Sequence, residues 1–107
     1  MSEIVLLDGG MGQELIARSS QPPSPLWSAR VLLDEPELVA AVHRDYIDAG
    51  ATVLTLNTYS ATPQRLAAQA SEGLFAELQA SACEIVTRVR DDSGRDVAIA
   101  GCLPPLV

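Results

Sequence analysis

What this chain has least of is metal-binding and redox chemistry: its 107 residues include one histidine and two cysteines. Cys83 and Cys102 form no CxxC pair and His43 stands alone, so neither a disulfide framework nor a self-contained zinc site can be read from the spacing. A reducing compartment follows. Positive charge is also scarce. The 7 basic residues against 14 acidic ones give a formal charge of −7, which repels phosphate backbones and anionic lipid and so argues against nucleic acid or a membrane as partner. No apolar run approaches the ~20 residues that a spanning helix requires. Glu3 sits where a signal peptide would carry Lys or Arg. The expectation is a cytoplasmic protein.

What is present suffices for a core. A hydrophobic content of 48% with 20% charged residues suits one globular domain over residues 1–107. Residues 4–7, IVLL, form a short apolar run closed by glycines, as expected of a strand buried on both faces. A short helical piece near 12–18 follows, and the prolines of SSQPPSPLWS predict a loop or extended connection. In DEPELVAAVHRDYIDAG, Asp34 reads as an N-cap, Glu37 as its capping-box partner, Pro36 as a first-turn residue and Gly50 as the stop. Leu38, Val39, Val42, Tyr46 and Ile47 define its apolar face.

A second buried strand, TVLTL over 52–56, ends on Asn57, Thr58 and Tyr59. Thr62 can cap a short helix starting at Pro63. A longer helix from Ser71 places Leu74, Phe75, Leu78, Ala82, Ile85, Val86 and Val89 at helical spacing and fades into the turn RDDSGRD. VAIAG, 97–101, is the third strand. The order β-α-β-α-β with long crossovers is that of an α/β fold with parallel strands. Ligands in such folds gather at the carboxyl ends of the strands, here Asp8, Asn57 and Cys102 with the residues that follow them.

Asp8-Gly9-Gly10-Met11-Gly12 has the glycines of a phosphate-binding turn, but its G-G-x-G spacing matches neither a dinucleotide fingerprint nor a P-loop, and an acid there opposes a phosphate. A carboxylate at a strand end suits an ammonium or a hydroxyl; a plain tight turn with a solvated Asp is the other reading. Asn57, Thr58 and Tyr59 offer an amide, a hydroxyl and a phenol able to orient a small polar ligand, and are also ordinary turn formers. Trp27 can wall a pocket or cover the end of a core. His43 reads as a packed histidine and Cys83 as an inert mid-helix thiol, while Cys102 stands where a thiol can reach a site.

Taken in order, LLDGGMGQEL, then PLWSARVLLDEPELVAAVHRDYIDAGATVLTLNTYSATPQRL, resemble the N-terminal third of the homocysteine S-methyltransferase family, from about Val5 to Leu66. The segment from Ala67 to Val107 is less distinct, and AGCLPP stands where many members have an AGSIGPYG-like turn. The resemblance implies a parallel (β/α)8 TIM-type barrel, incomplete in this chain because such a barrel takes ~250 residues. It implies that homocysteine binds at the strand ends and that zinc, held by three cysteine thiolates, keeps the homocysteine sulfur deprotonated for attack on a methyl donor. Carried over, Asp8 accepts hydrogen bonds from the homocysteine ammonium, Gly9, Gly10 and Met11 shape the floor, and Trp27, Asn57, Thr58 and Tyr59 line the mouth. The zinc cysteines of the family lie after later strands, so no catalytic or metal-ligating residue is assigned within 1–107, and the chain alone is expected to bind no zinc tightly. The donor stays open among S-methylmethionine, S-adenosylmethionine, a betaine and a folate-charged cobalamin partner. The alternative is a truncated, non-catalytic module that binds a small molecule or self-associates.

Overall fold

A computed structural model describes residues 4–20, 27–59, 61–68 and 72–102. They form an α/β arrangement: α1 (Met11–Arg18), α2 (Trp27–Asp34), α3 (Pro36–Asp48), β1 (Val53–Thr55), α4 (Pro63–Ala68), a 3-10 turn (Glu72–Leu74), α5 (Phe75–Ser93) and β2 (Ala98–Ala100). β1 and β2 are parallel, with Val53 opposite Ala98 and Thr55 opposite Ala100. On the other side of β1, Leu7 makes a parallel bridge to Val53. There the Asp8 N–H donates to the Val53 carbonyl at 3.0 Å and the Thr52 N–H to that of Leu6 at 2.9 Å.

The IVLL run is therefore extended and parallel to β1, as expected, but pairs through a single bridge. It is not buried on both faces: Ile4 is 94% exposed and Leu7 63%. Among the described residues it has β1 as its one strand neighbour, so its outer edge and much of its side-chain surface meet solvent.

Two further expectations change. The region expected to be loop up to Ser28 already turns helical at Trp27, and Asp34 is the last residue of α2 rather than the N-cap of α3. The cause is Pro36: its ring drives the preceding residue out of the α region, so Glu35 sits at φ −139° and breaks one helical stretch into two. Proline then opens α3 at a position where a missing N–H costs nothing. Glu37, freed from a capping box, pairs with Arg88 of α5 at 3.0 Å. At the other end of α3, Gly50 takes φ +112° while the Ala51 N–H reaches back to the Tyr46 carbonyl at 2.9 Å, a left-handed stop that only glycine adopts without strain.

The periodic helix faces hold except at the start of α5, where Phe75, expected on the apolar face, is 38% exposed. Val39, Val42, Ile47, Leu78, Ala82, Ile85, Val86 and Val89 are buried where α3 packs on α5. Leu54 of β1 joins them, fully buried. Thr62 caps α4, its Oγ1 accepting the Arg65 N–H at 3.2 Å. α5 runs through Arg90–Ser93, residues expected to belong to the turn, and stops at Gly94 with φ +67°. Ser71, its expected start, lies outside the described residues. Because Leu54 points into the helices, strand alternation turns Thr55 to the opposite face. That face, at the carboxyl ends of the strands, holds the site.

Candidate functional site

Asp8 ends the extended run by substituting its side chain for backbone. Val53 and Thr55 present their polar groups to the same side of β1. Val53 accepts the Asp8 N–H there, but the next donor, the Thr55 N–H, goes to the Asp8 carboxylate, to Oδ2 at 2.8 Å, and the Thr55 hydroxyl donates to Oδ1 at 3.0 Å. The main chain is thereby released from the sheet at Asp8 and turns through the glycines into α1. Asp8 is half-buried, and its carboxylate is fixed by two charge-assisted bonds.

The turn is held from behind by Tyr46 of α3. Its phenol donates to the Gly10 carbonyl at 2.9 Å. The ring lies so close to Gly9 that a Cβ there would fall 2.7 Å from the phenol oxygen, whereas at Gly10 a Cβ would meet nothing within 4 Å. Burial, and next the carboxylates of Glu14 and Asp8, hold the Tyr46 phenol above its ordinary pKa, so it remains a donor.

An open cleft of about 290 Å³ lies over this carboxylate, lined by Asp8, Gly9, Met11, Gly12, Thr55, Leu56, Asn57, Tyr59 and Cys102. Of the residues named from the sequence, it brings together Asp8, Gly9, Met11, Asn57 and Tyr59. Gly10 caps α1 and aims its carbonyl at Tyr46, outside the lining. Thr58 is 4% exposed and also outside it; its carbonyl accepts the Ala61 N–H at 3.1 Å and so shapes the turn beyond Asn57. Trp27 begins α2, and its side chain lies outside the described residues.

Thr55 was not singled out by sequence reasoning, though a polar residue two positions before Asn57, on the face opposite a buried Leu54, carried the signal. Cys102 reaches the cleft, but burial pushes its thiol pKa up, with Arg65 pulling weakly the other way, so it stays a thiol at neutral pH. Cys83 is exposed on α5. His43, also on α3, is 1% exposed, and its Nδ1 has no hydrogen-bond partner among the described residues. Burial lowers its pKa to about 4 against the opposing pull of Asp8, so it is neutral at pH 7.

The cleft thus presents an oriented carboxylate at the end of an extended run parallel to β1, with the Asn57 amide and the Tyr59 phenol among the lining residues. A family model of homocysteine S-methyltransferase matches residues 5–107. The chain belongs to the homocysteine S-methyltransferase family. It is 48% identical over 67 residues to the homocysteine S-methyltransferase of Escherichia coli K12, a match covering 63% of this chain and 22% of that protein. It is 36% identical over 90 residues to homocysteine S-methyltransferase YbgG of Bacillus subtilis 168, covering 83% and 29%. Among solved structures, the metallated form of the Escherichia coli homocysteine methyltransferase MmuM superposes with a TM-score of 0.85 at 35% identity, covering 97% of this chain and 38% of that one. The chain thus spans well under two thirds of the family members it matches. Among the described residues, no three His, Cys, Asp or Glu side chains are grouped to hold a metal ion, and no helix is long and apolar enough to cross a membrane.

Proposed function

We propose that this chain carries the acceptor side of a homocysteine S-methyltransferase site, with Asp8 receiving the ammonium of homocysteine. One observation carries the reading: the Asp8 carboxylate stands in the cleft at the carboxyl ends of the strands with two acceptor positions filled by Thr55. A carboxylate has about four such positions, which leaves the open side for an ammonium with three donors. Gly9, Gly10 and Met11 form the floor, with Gly10 acting through its bond to Tyr46. Asn57 and Tyr59 make the walls, with Thr58 holding the turn; the family resemblance assigns Trp27 to the same mouth.

The run 4–7, β1 and β2 is read here as the first three strands of a (β/α)8 barrel, with residues 1–107 as its N-terminal part. The reaction is methyl transfer to the homocysteine sulfur: the sulfur's lone pair forms the new S–C bond as the bond between methyl and donor breaks, giving methionine. Bound zinc would supply a deprotonated sulfur, but the residues of this chain do not fit it. Three thiolates are needed and the chain has two, of which only Cys102 lines the cleft. In this reading the zinc ligands lie outside 1–107, the protein is cytoplasmic, and the exposed Ile4–Leu7 edge drives the isolated chain to self-associate.

The test is turnover by the full gene product with homocysteine and, in turn, S-methylmethionine, S-adenosylmethionine, a betaine and a methyl-cobalamin protein. Methionine appearing with one donor is the expected result. No product with any of the four, together with no homocysteine binding, would remove the reading.

A further inference from the structure

The arginines of this chain are mostly spoken for. Arg18 pairs with Asp45 at 2.8 Å, Arg88 with Glu37 at 3.0 Å and Arg90 with Asp91 at 3.0 Å, while Arg95 donates to the Ile47 carbonyl at 2.7 Å. Arg65 differs. Its guanidinium lies over the Tyr59 ring, 4.6 Å from the centroid, and its Nη1 donates to the Tyr59 carbonyl at 3.1 Å. Among the described residues no carboxylate pairs with it, nor with Arg44 or Arg95; what sets Arg65 apart is that it is fixed against a residue lining the cleft. One of five N–H donors is engaged, so the group is held in place by a ring and a carbonyl with most of its hydrogen-bonding capacity unused.

Its position gives that capacity a direction. Tyr59 is a wall of the cleft that also contains Asp8, and Cys102, another wall, feels the Arg65 charge. The backbone under Arg65 is fixed as well, since its N–H is the donor that Thr62 caps. An anion lining the cleft and an oriented cation that does not itself line it but is stacked on Tyr59, one of its walls, match a ligand that carries both charges, an α-amino acid zwitterion, rather than a simple amine or thiol.

We propose that Arg65 receives the α-carboxylate of the amino acid whose ammonium Asp8 receives, and so selects amino-acid thiols over amine thiols. The proposal rests on the functional reading above and adds a residue to it. Arginine suits the task because its planar fork can meet both carboxylate oxygens. Tyr59 is 51% exposed, so solvent screens the contact and the effect falls below that of a buried pair.

The experiment is calorimetric binding to the full gene product with no methyl donor present, so that the carboxylate read is the acceptor's. L-homocysteine is compared with 3-aminopropane-1-thiol, which lacks the carboxylate, on wild type, Arg65→Met, Arg65→Lys and Asp8→Asn. Arg65→Met is expected to weaken homocysteine binding about five- to tenfold and aminopropanethiol binding less than about twofold, with Arg65→Lys recovering part of the loss. Asp8→Asn weakens both ligands. If Arg65→Met leaves homocysteine affinity unchanged while Asp8→Asn lowers it, the role of Arg65 is overturned and the acceptor site stands. Equal losses on both ligands also overturn it, since they mark a packing role against Tyr59. A wild-type protein that binds neither ligand overturns the functional reading itself.

Discussion

Lowering the pH from 7 to 5 should destabilise this protein through a single residue. His43 is 1% exposed, and burial lowers its pKa from 6.5 to about 4. Asp8, whose charge opposes the shift, is the titratable group that reaches it. In the unfolded chain His43 binds a proton near its ordinary pKa, while in the folded chain it resists until about pH 4. The unfolded state therefore holds more protons across that interval, and stability falls as pH drops through it. Between pH 7 and pH 5 the loss is about 2 kcal/mol, and by pH 4 it approaches about 3 kcal/mol. Urea unfolding at half-unit pH steps measures this directly, and the chain's one histidine gives an unambiguous NMR titration alongside. His43→Leu removes the titrating group and should flatten the slope between pH 5 and 7. A folded-state His43 that titrates near 6.5, or a slope unchanged in His43→Leu, would show that burial of His43 does not drive the loss.

Gly9→Ala should destabilise by about 1–3 kcal/mol in urea unfolding, because its Cβ meets the Tyr46 ring, whereas Gly10→Ala, with open space and φ −66°, should stay within about 0.5 kcal/mol. Equal costs at both would contradict the close approach. Metal analysis of the 107-residue chain should find well under one zinc per molecule; stoichiometric, chelator-resistant zinc would point to a site assembled between copies. Sedimentation of the same chain should show association that weakens when Leu7, 63% exposed on the unpaired edge, becomes Lys. A monodisperse monomer would instead mark an independent fold.

The helices were legible wherever local chemistry decided them. Pro63 after Thr62, the run from Leu78 to Val89, and Gly50 each carry their own stop or start, whereas the end of α5 was misplaced: the polar run RDDSGRD reads as a turn from Arg90, but the helix continues to Ser93. α2 was obscured by the prolines before it, and the break at Glu35 is a two-residue effect that an N-cap pattern at Asp34 mimics. Burial of residues 4–7 could not be read because an apolar run has the same sequence whether or not a neighbour covers it. In the site, the strand-end rule found Asp8, Asn57 and Tyr59, which need no knowledge of pairing. Thr55 and Tyr46 escaped because their roles depend on bonds to Asp8 and Gly10 across 47 and 36 positions, and no local pattern encodes such contacts.

If Asp8 meets the ammonium of homocysteine, homocysteine affinity of Asp8→Asn in the full gene product reads that contact directly. Asparagine keeps the size and a carbonyl oxygen for one Thr55 bond, yet removes the charge. Loss of a charge-assisted hydrogen bond at this half-buried position costs about 1.5–3 kcal/mol, a roughly ten- to hundredfold weaker Kd, and because the asparagine NH2 cannot accept the second Thr55 bond, folding stability also falls, by about 1 kcal/mol. Unchanged homocysteine affinity would contradict that role and leave Asp8 as the residue that caps β1 through Thr55.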